Sequence, residues 1–317
     1  MSNCCVIGGN GFIGSYLVPQ LLQTGRMVTV IGLEPVSTIE LAKNLRYISC
    51  NDCDDDYLSK ALMGIDEIID LAYATVPKTS FDDPVQDILK NLPPTVKLLE
   101  AACAAGVKKV VIVSSGGTVY GNAQALPIKE EHPTNPVSPY GITKLAIEKY
   151  AFMFNTLKLL PVVCVRPGNA YGEGQKPFKG QGFIPTVIAS IIQNREITLF
   201  GSNGTIRDYI HASDISAGII AALEYGHGGS VFNIGTGIGR SNMDIINNII
   251  PFAAAAGLKI QINIQPTRAF DVPVNILDST KLHMNTGWKS KIEFEEWIPK
   301  AWDWYMKYDL SNKLGSR

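Results

Sequence analysis

Apolar residues along this chain fall into two alternating patterns. Short unbroken runs bounded by glycine, proline or polar residues read as strands buried on both faces, as in a parallel sheet. They are Cys4 to Ile7, Met27 to Ile31, Leu45 to Ser49, Glu67 to Leu71, Lys109 to Val113 and Val162 to Arg166. Between them, apolar positions recur every three to four residues, the period of a helix buried along one stripe. Ile13 to Gln23, a segment ending near Met63, Pro84 to Ala105 and Tyr140 to Leu157 carry that period. The acidic run Asp54-Asp55-Asp56 suits the N-terminus of the second of these, where carboxylates meet the positive end of the helix dipole. Pro93-Pro94 falls in the middle of Pro84 to Ala105 and is expected to kink that helix or split it in two. Regular alternation of strand and helix predicts an α/β fold built on a doubly wound parallel sheet.

The alternation breaks down near residue 167. Beyond it lie glycine-rich loops, a helix near Ile184 to Gln193, short strands near Ile197 to Phe200 and a helix from Ser213 to Tyr225. Val231 to Ile234 reads as a strand returning to the main sheet, followed by amphipathic helices Asn242 to Ala256 and Glu295 to Tyr308. The expected division is residues 1–166 for the sheet domain, with 208–240 returning to it, and 167–317 mainly for a smaller α/β lobe.

With 317 residues, 46% hydrophobic and 18% charged, the chain can bury a large core. A net charge of -1 offers no field for nucleic acid or an acidic membrane surface. No apolar run reaches the roughly 18 residues that span a bilayer. The start, Met1 to Ile7, lacks the basic residues and cleavage pattern of a signal peptide, so a cytoplasmic protein is expected. Cys50 and Cys53 form a C-x-x-C, but no second pair or nearby histidine completes a zinc set. All six cysteines are therefore expected to be reduced, and the four histidines show no metal-ligand spacing.

The candidate chemistry sits at the ends of the strands. Gly8-Gly9-Asn10-Gly11-Phe12-Ile13-Gly14 lies between a strand and a helix, the setting in which a glycine turn approaches a dinucleotide pyrophosphate. The second strand ends in Gly32, where an acid normally holds the adenosine ribose; Glu34 or the backbone is left for that task, and no arginine follows to mark a 2′-phosphate site. Small residues follow the fourth strand in Ala72-Tyr73-Ala74-Thr75, and the fifth ends in Ser114-Ser115-Gly116-Gly117-Thr118-Val119-Tyr120-Gly121. Tyr140 and Lys144, four residues apart at a helix start, lie on one face one turn apart. A free tyrosine has a pKa of about 10, and a fixed ammonium beside it favours the phenolate. Alone, such a pair is more often a surface tyrosine and a solvated lysine. Arg166-Pro167-Gly168-Asn169-Ala170-Tyr171-Gly172 and Arg207-Asp208-Tyr209-Ile210-His211 complete the set.

Together these five motifs resemble the extended short-chain dehydrogenase/reductase superfamily. Within it, the chain is similar to nucleotide-sugar epimerases of the UDP-glucose (UDP-galactose) or UDP-N-acetylglucosamine 4-epimerase type, from Gly8 to about Trp304. The resemblance implies a Rossmann-type sheet with a C-terminal substrate lobe and NAD as cofactor. It places Gly8, Gly11, Phe12, Ile13 and Gly14 at the pyrophosphate and Asp52 and Cys53 at adenine. Leu71, Ala72, Tyr73, Asn91 and Ser114 would line the cofactor, and Lys144 would also bond the nicotinamide ribose. Tyr140 and Lys144 would be catalytic. Asn169, Arg207 and Arg268 would hold the substrate diphosphate, Asp271 the nucleoside ribose, and Thr198 and Phe200 the uracil.

Three departures from the family pattern stand out. Gly116 occupies the usual place of a third catalytic Ser or Thr, so Thr118 is the expected replacement and Ser115 the next. Gly32 lacks the ribose acid, as noted. Asn275 falls where a bulky Tyr restricts some relatives, so room for a 2-acetamido sugar is expected. The implied activity is inversion of C4 of a UDP-hexose through a 4-keto sugar. The alternatives are a 4-keto reductase or dehydratase on the same scaffold, or a non-catalytic NAD or nucleotide-sugar-binding protein. The helices Pro84 to Ala105 and Tyr140 to Leu157 resemble those that pair in family homodimers.

Overall fold

The unbroken apolar runs form strands of one parallel sheet, and the periodic segments form the helices on its two faces. A computed structural model describes residues 2–39, 42–50, 55–268 and 271–307. In chain order the first half contains β1 (Asn3–Ile7), α1 (Gly14–Gln23), β2 (Met27–Gly32), β3 (Leu45–Ser49), α2 (Asp55–Ala61), β4 (Glu67–Asp70), α3 (Pro77–Asp82), α4 (Pro84–Ala104), β5 (Lys109–Val113), α5 (Pro139–Leu157) and β6 (Val162–Pro167). The second contains β7 (Asn169–Tyr171), α6 (Phe183–Ile192), β8 (Ile197–Phe200), β9 (Ile206–His211), α7 (Ala212–Tyr225), β10 (Val231–Ile234), β11 (Gly239–Ser241), α8 (Asn242–Ala255), β12 (Ile262–Gln265), β13 (Val274–Asn275), α9 (Thr280–Thr286) and α10 (Phe294–Lys307).

Seven strands make the main sheet in the order β10-β6-β5-β4-β1-β2-β3. Strand order reverses between β1 and β4, and a crevice opens there beyond the carboxyl ends of the strands. Alternate residues of β1 serve opposite faces. Cys4 and Val6 pack with Leu17 and Leu21 of α1 and Ile215 and Ile219 of α7, whereas Cys5 packs with Leu98 of α4 and Ile147 of α5. A third core, from Ile184 of α6, Ile245 of α8 and Trp297 of α10, supports the lobe. There β9 is the hub, pairing with β7, β11 and β13, while β8 and β12 form a separate parallel pair.

Two expectations are corrected. α4 is not split in two: it runs from Pro84 to Ala104 through Pro93 and Pro94. Both prolines, and the Leu89 and Lys90 four residues before them, are exposed, so the carbonyls that the prolines cannot bond lie on the solvent side of the helix. Cys4, Cys5, Cys103 and Cys164 are free thiols, but Cys50 is disulfide-bonded. Asp52, Cys53 and Asp54 also lie outside them. Among the described residues no helix is long and apolar enough to cross a membrane.

Candidate active site

A cleft of about 850 Å³ opens at the reversal of strand order, lined on one side by the sheet and on the other by the lobe. The sheet contributes Gly8, Gly11, Phe12, Ile13 and Gly14 after β1, Leu71 and Tyr73 after β4, and Ser114, Ser115, Gly117 and Thr118 after β5. Tyr140 and Lys144 enter from the start of α5, and Asn169, Arg207, Arg268 and Asp271 from the lobe. Residues distant in sequence thus meet because every contributing strand of the main sheet ends on the same side.

The glycine turn is closed to side chains. A Cβ on Gly14 would lie 2.0 Å from Gly9 O, and one on Gly8, whose φ is +75°, would lie 3.1 Å from the Ala72 backbone. The 71–75 segment therefore presses against the turn, an approach that only glycine at position 8 allows. Ala72 serves here as the small partner of Gly8. Asn91, expected at the cofactor, instead holds this segment from below. Its Oδ1 accepts from Ala74 N at 2.7 Å, and its Nδ2 donates to Thr75 Oγ1 and Asp87 O.

α5 begins where Pro139 fixes the first turn and Ser138 Oγ accepts from Gly141 N at 3.2 Å. This cap sets Tyr140 in the first turn, its ring 4.7 Å from that of Tyr73. Lys144, one turn later, is buried. Its Nζ donates to Val113 O at 2.8 Å and lies 4.0 Å from the Tyr73 ring centroid, against 5.9 Å for Tyr140. The expected depression of the Tyr140 pKa by Lys144 is not realised in this arrangement. Burial, helped by the Asp87 charge, pushes the Tyr140 hydroxyl above the ordinary phenol value. Burial also lowers Lys144 to about 8, opposed by Asp70, Glu148 and Asp87.

At the end of β5, Gly116 has a steric cause. A Cβ there would lie 2.5 Å from Leu277 Cδ1 and 2.8 Å from Arg166 O, so no hydroxyl-bearing side chain fits. Ser115 opens on the cleft, and its Oγ and Asn169 Oδ1 flank the space above Gly117. Thr118 Oγ1 and Ser114 Oγ are shielded from solvent and have no hydrogen-bond partner among the described residues. Asn275 lies behind this segment, buried, donating from Nδ2 to Gly116 O at 2.9 Å. The expected place for Asn275 in the wall of a sugar pocket is not seen, because β13 pairs with β9 and turns the residue toward Gly116.

The lobe supplies positive charge. Arg207 Nη1 donates to Ile206 O, and burial lowers the guanidinium pKa, with neighbouring Arg268 adding to that effect. Two guanidinium groups that repel each other on one wall favour an anion between them. Arg268 also pairs with Asp271 at 2.8 Å and lies 4.0 Å from the Phe200 ring centroid. Phe200 thus stands beneath Arg268, and Thr198 is exposed on the same strand; neither lines the cleft.

Sequence reasoning passed over Asp87 and Gln175. Asp87, fully buried, accepts from Thr143 Oγ1 at 2.6 Å and from Thr75 Oγ1, joining the loop after β4 to α5 beside Lys144. Asp87 lies on the buried face of α4 with Asn91 and Thr95, away from the exposed Val85 and Ile88, and the apolar period gave it no signal. Gln175, on a lobe loop lining the cleft, leaves Oε1 without a partner and had no signal.

Known proteins share this fold. Residues 4–235 match the NAD dependent epimerase/dehydratase family. The UDP-glucose 4-epimerase of Mycolicibacterium smegmatis is 34% identical over 310 residues, covering 95% of this chain and 97% of that protein. The crystal structure of UDP-glucose 4-epimerase with UDP-glucose from Thermotoga maritima superposes with a TM-score of 0.88 at 30% identity, covering 96% of this chain and 99% of that one. The UDP-N-acetylglucosamine 4-epimerase of Methanobrevibacter ruminantium, in complex with UDP-N-acetylmuramic acid, gives 0.85 at 26% identity, with 96% and 98% covered. Fold and sequence agree over nearly the whole length, and the chain belongs to the NAD dependent epimerase/dehydratase family.

Proposed function

We propose that this protein is an NAD-dependent epimerase that inverts C4 of a UDP-hexose, either UDP-glucose and UDP-galactose or their 2-acetamido counterparts. The observation that carries the reading is the cleft in which the glycine-rich turn after β1, Tyr140 and Lys144, and two guanidinium groups face one another. The turn fits a dinucleotide, since Cβ atoms at Gly8 and Gly14 would strike the protein's own backbone, so only glycine lets the loop after β1 fold this tightly along the cleft wall. Residues 1–166, with the strand returned by 208–240, would hold NAD, and 167–317 mainly the nucleotide sugar.

Gly8, Gly11 and Gly14 would bind the pyrophosphate, while Leu71, Tyr73 and Ser114 line the cofactor and Lys144 reaches the nicotinamide ribose. Arg207 and Arg268 would clamp the substrate diphosphate with Asn169, and Asp271 would accept from the nucleoside ribose. NAD held here would supply the acceptor and donor of a hydride at the sugar C4. Tyr140 takes the proton of the sugar 4-hydroxyl and later returns it. Its raised pKa makes it a strong base once ionised, and the dipole at the start of α5 favours that ionised form. Lys144 keeps an ammonium beside it below about pH 8. For the accompanying hydroxyl we favour Ser115 over Thr118, because Ser115 opens on the cleft next to Asn169 and Thr118 Oγ1 is shielded.

The exposed stripe of Val85, Ile88 and Leu89 on α4 and of Ile142, Tyr150, Met153 and Leu157 on neighbouring α5 fits a second copy of the chain, and we propose a homodimer through it. A cytoplasmic location is part of the same proposal.

The test is Tyr140→Phe, assayed on UDP-glucose, UDP-galactose, UDP-N-acetylglucosamine and UDP-N-acetylgalactosamine with separation of epimers. The wild type should interconvert at least one pair, and the variant should lose turnover at least ~100-fold while still binding NAD. A variant near the wild-type rate would remove Tyr140 from the mechanism.

A further inference from the structure

The adenosine end of the cofactor site lacks its usual acid, since β2 ends in Gly32. The structure shows why a side chain is excluded there. A Cβ on Gly32 would lie 2.7 Å from the Tyr47 hydroxyl and 3.3 Å from Glu34 Oε2. The space is filled already, by a phenol from β3 and a carboxylate from two residues on. In-register pairing of Val30 with Tyr47 brings the phenol to that edge, and its hydroxyl donates to Glu34 O at 2.7 Å. Asn10, inside the glycine turn, donates from Nδ2 to the Tyr47 hydroxyl at 3.2 Å and to Glu34 Oε2 at 3.4 Å. Asn10 Oδ1 in turn accepts from Thr38 N at 3.2 Å. Glu34 is thereby tied to the turn that faces the pyrophosphate. Burial, together with the Glu34 charge, raises the Tyr47 pKa and keeps the phenol protonated as a donor.

We propose that Glu34, held by Asn10 and Tyr47, replaces the missing acid, accepts hydrogen bonds from the adenosine ribose hydroxyls and selects NAD over NADP. The proposal rests on reading the cleft as a dinucleotide site. A ribose diol offers two donors, and an ionised carboxylate offers only acceptors. A 2′-phosphate would bring a charge of roughly -1.5 to -2 against that carboxylate. No arginine stands between Gly32 and Arg46 to compensate.

The test is the dissociation constant of the full chain for NAD and for NADP, by titration calorimetry, in the wild type, Glu34→Gln and Glu34→Ala. Thermal melts establish that the variants are folded. The wild type should bind NAD at least ~10-fold more tightly than NADP, and each variant should lose about 10-fold or more for NAD with no loss for NADP. Unchanged NAD affinity in both variants would overturn the proposal. Equal loss for both dinucleotides would do the same, since Glu34 would then only brace the turn. A wild type that binds neither dinucleotide would instead overturn the cofactor reading itself.

Discussion

Gly116 and Ser115 illustrate how a single position redirects a site. Leu277 and Arg166 O leave no room for a Cβ at 116, so the hydroxyl that accompanies Tyr140 has to come from a neighbour. The order of motifs in the sequence made Thr118 the first candidate, because spacing carries no information on which side chain is shielded. The cleft geometry favours Ser115. Ser115→Ala should lower kcat by ~100-fold, the lower end of a proton-transfer contribution, and Thr118→Ala by less than ~10-fold. A steady-state comparison of the two variants checks this, and the reverse order would restore Thr118. Tyr140 and Lys144 were legible in sequence as a pair, but the electrostatics were not. Spacing placed an ammonium one turn away, whereas burial raises the Tyr140 pKa and lowers that of Lys144, whose Nζ donates to Val113 O. Asn91 and Asn275 were legible as residues near the site and misread as its walls, since both spend their amides on backbone behind it.

Among the elements, the strands of the main sheet were readable because burial on both faces leaves unbroken apolar runs. β9 was not, because Arg207 and Asp208 interrupt its pattern. Asp208 is consumed in holding the backbone N–H groups of Thr236, Gly237 and Leu277. A comparable anchor joins three helices to the loop after β7. The Glu173 carboxylate accepts from Tyr16 of α1 at 3.0 Å and Trp297 of α10 at 3.0 Å, and meets His211 Nε2, at the cap of α7, at 3.3 Å. These contacts, the His211 hydrogen bond first, lower its pKa to about 2. A depressed carboxylate stabilises the fold above its unfolded value of about 4.3, and that stability is lost as pH falls toward 2. Glu173→Gln should therefore cost ~1–3 kcal/mol at pH 7 and less at pH 3, measured by denaturant midpoints at both. An equal cost at both pH values would contradict the assignment.

At the scale of the whole molecule, the sheet and lobe line the cleft together, and the outer faces of α4 and α5 present an apolar stripe. The stripe was visible in sequence as helical periodicity, but which of its residues remain exposed was not. Val85 is 61% and Leu157 72% exposed. Replacing Leu89 and Met153 with Glu should convert a dimer to monomer in sedimentation velocity, since unpaired carboxylates in a buried apolar interface are strongly unfavourable. A wild type that sediments as a monomer would refute the proposed interface. The central claim concerns the cleft, and it is tested most directly by following hydrogen at C4. UDP-glucose and UDP-N-acetylglucosamine, each deuterated at C4, are incubated with the protein and the epimeric products examined by mass spectrometry and NMR. An epimerase that removes and returns the same hydride inside a closed cleft keeps deuterium at C4 of the inverted sugar, with no net change in reduced nicotinamide absorbance. Loss of the label to water, or product formed in step with consumed cofactor, would contradict it.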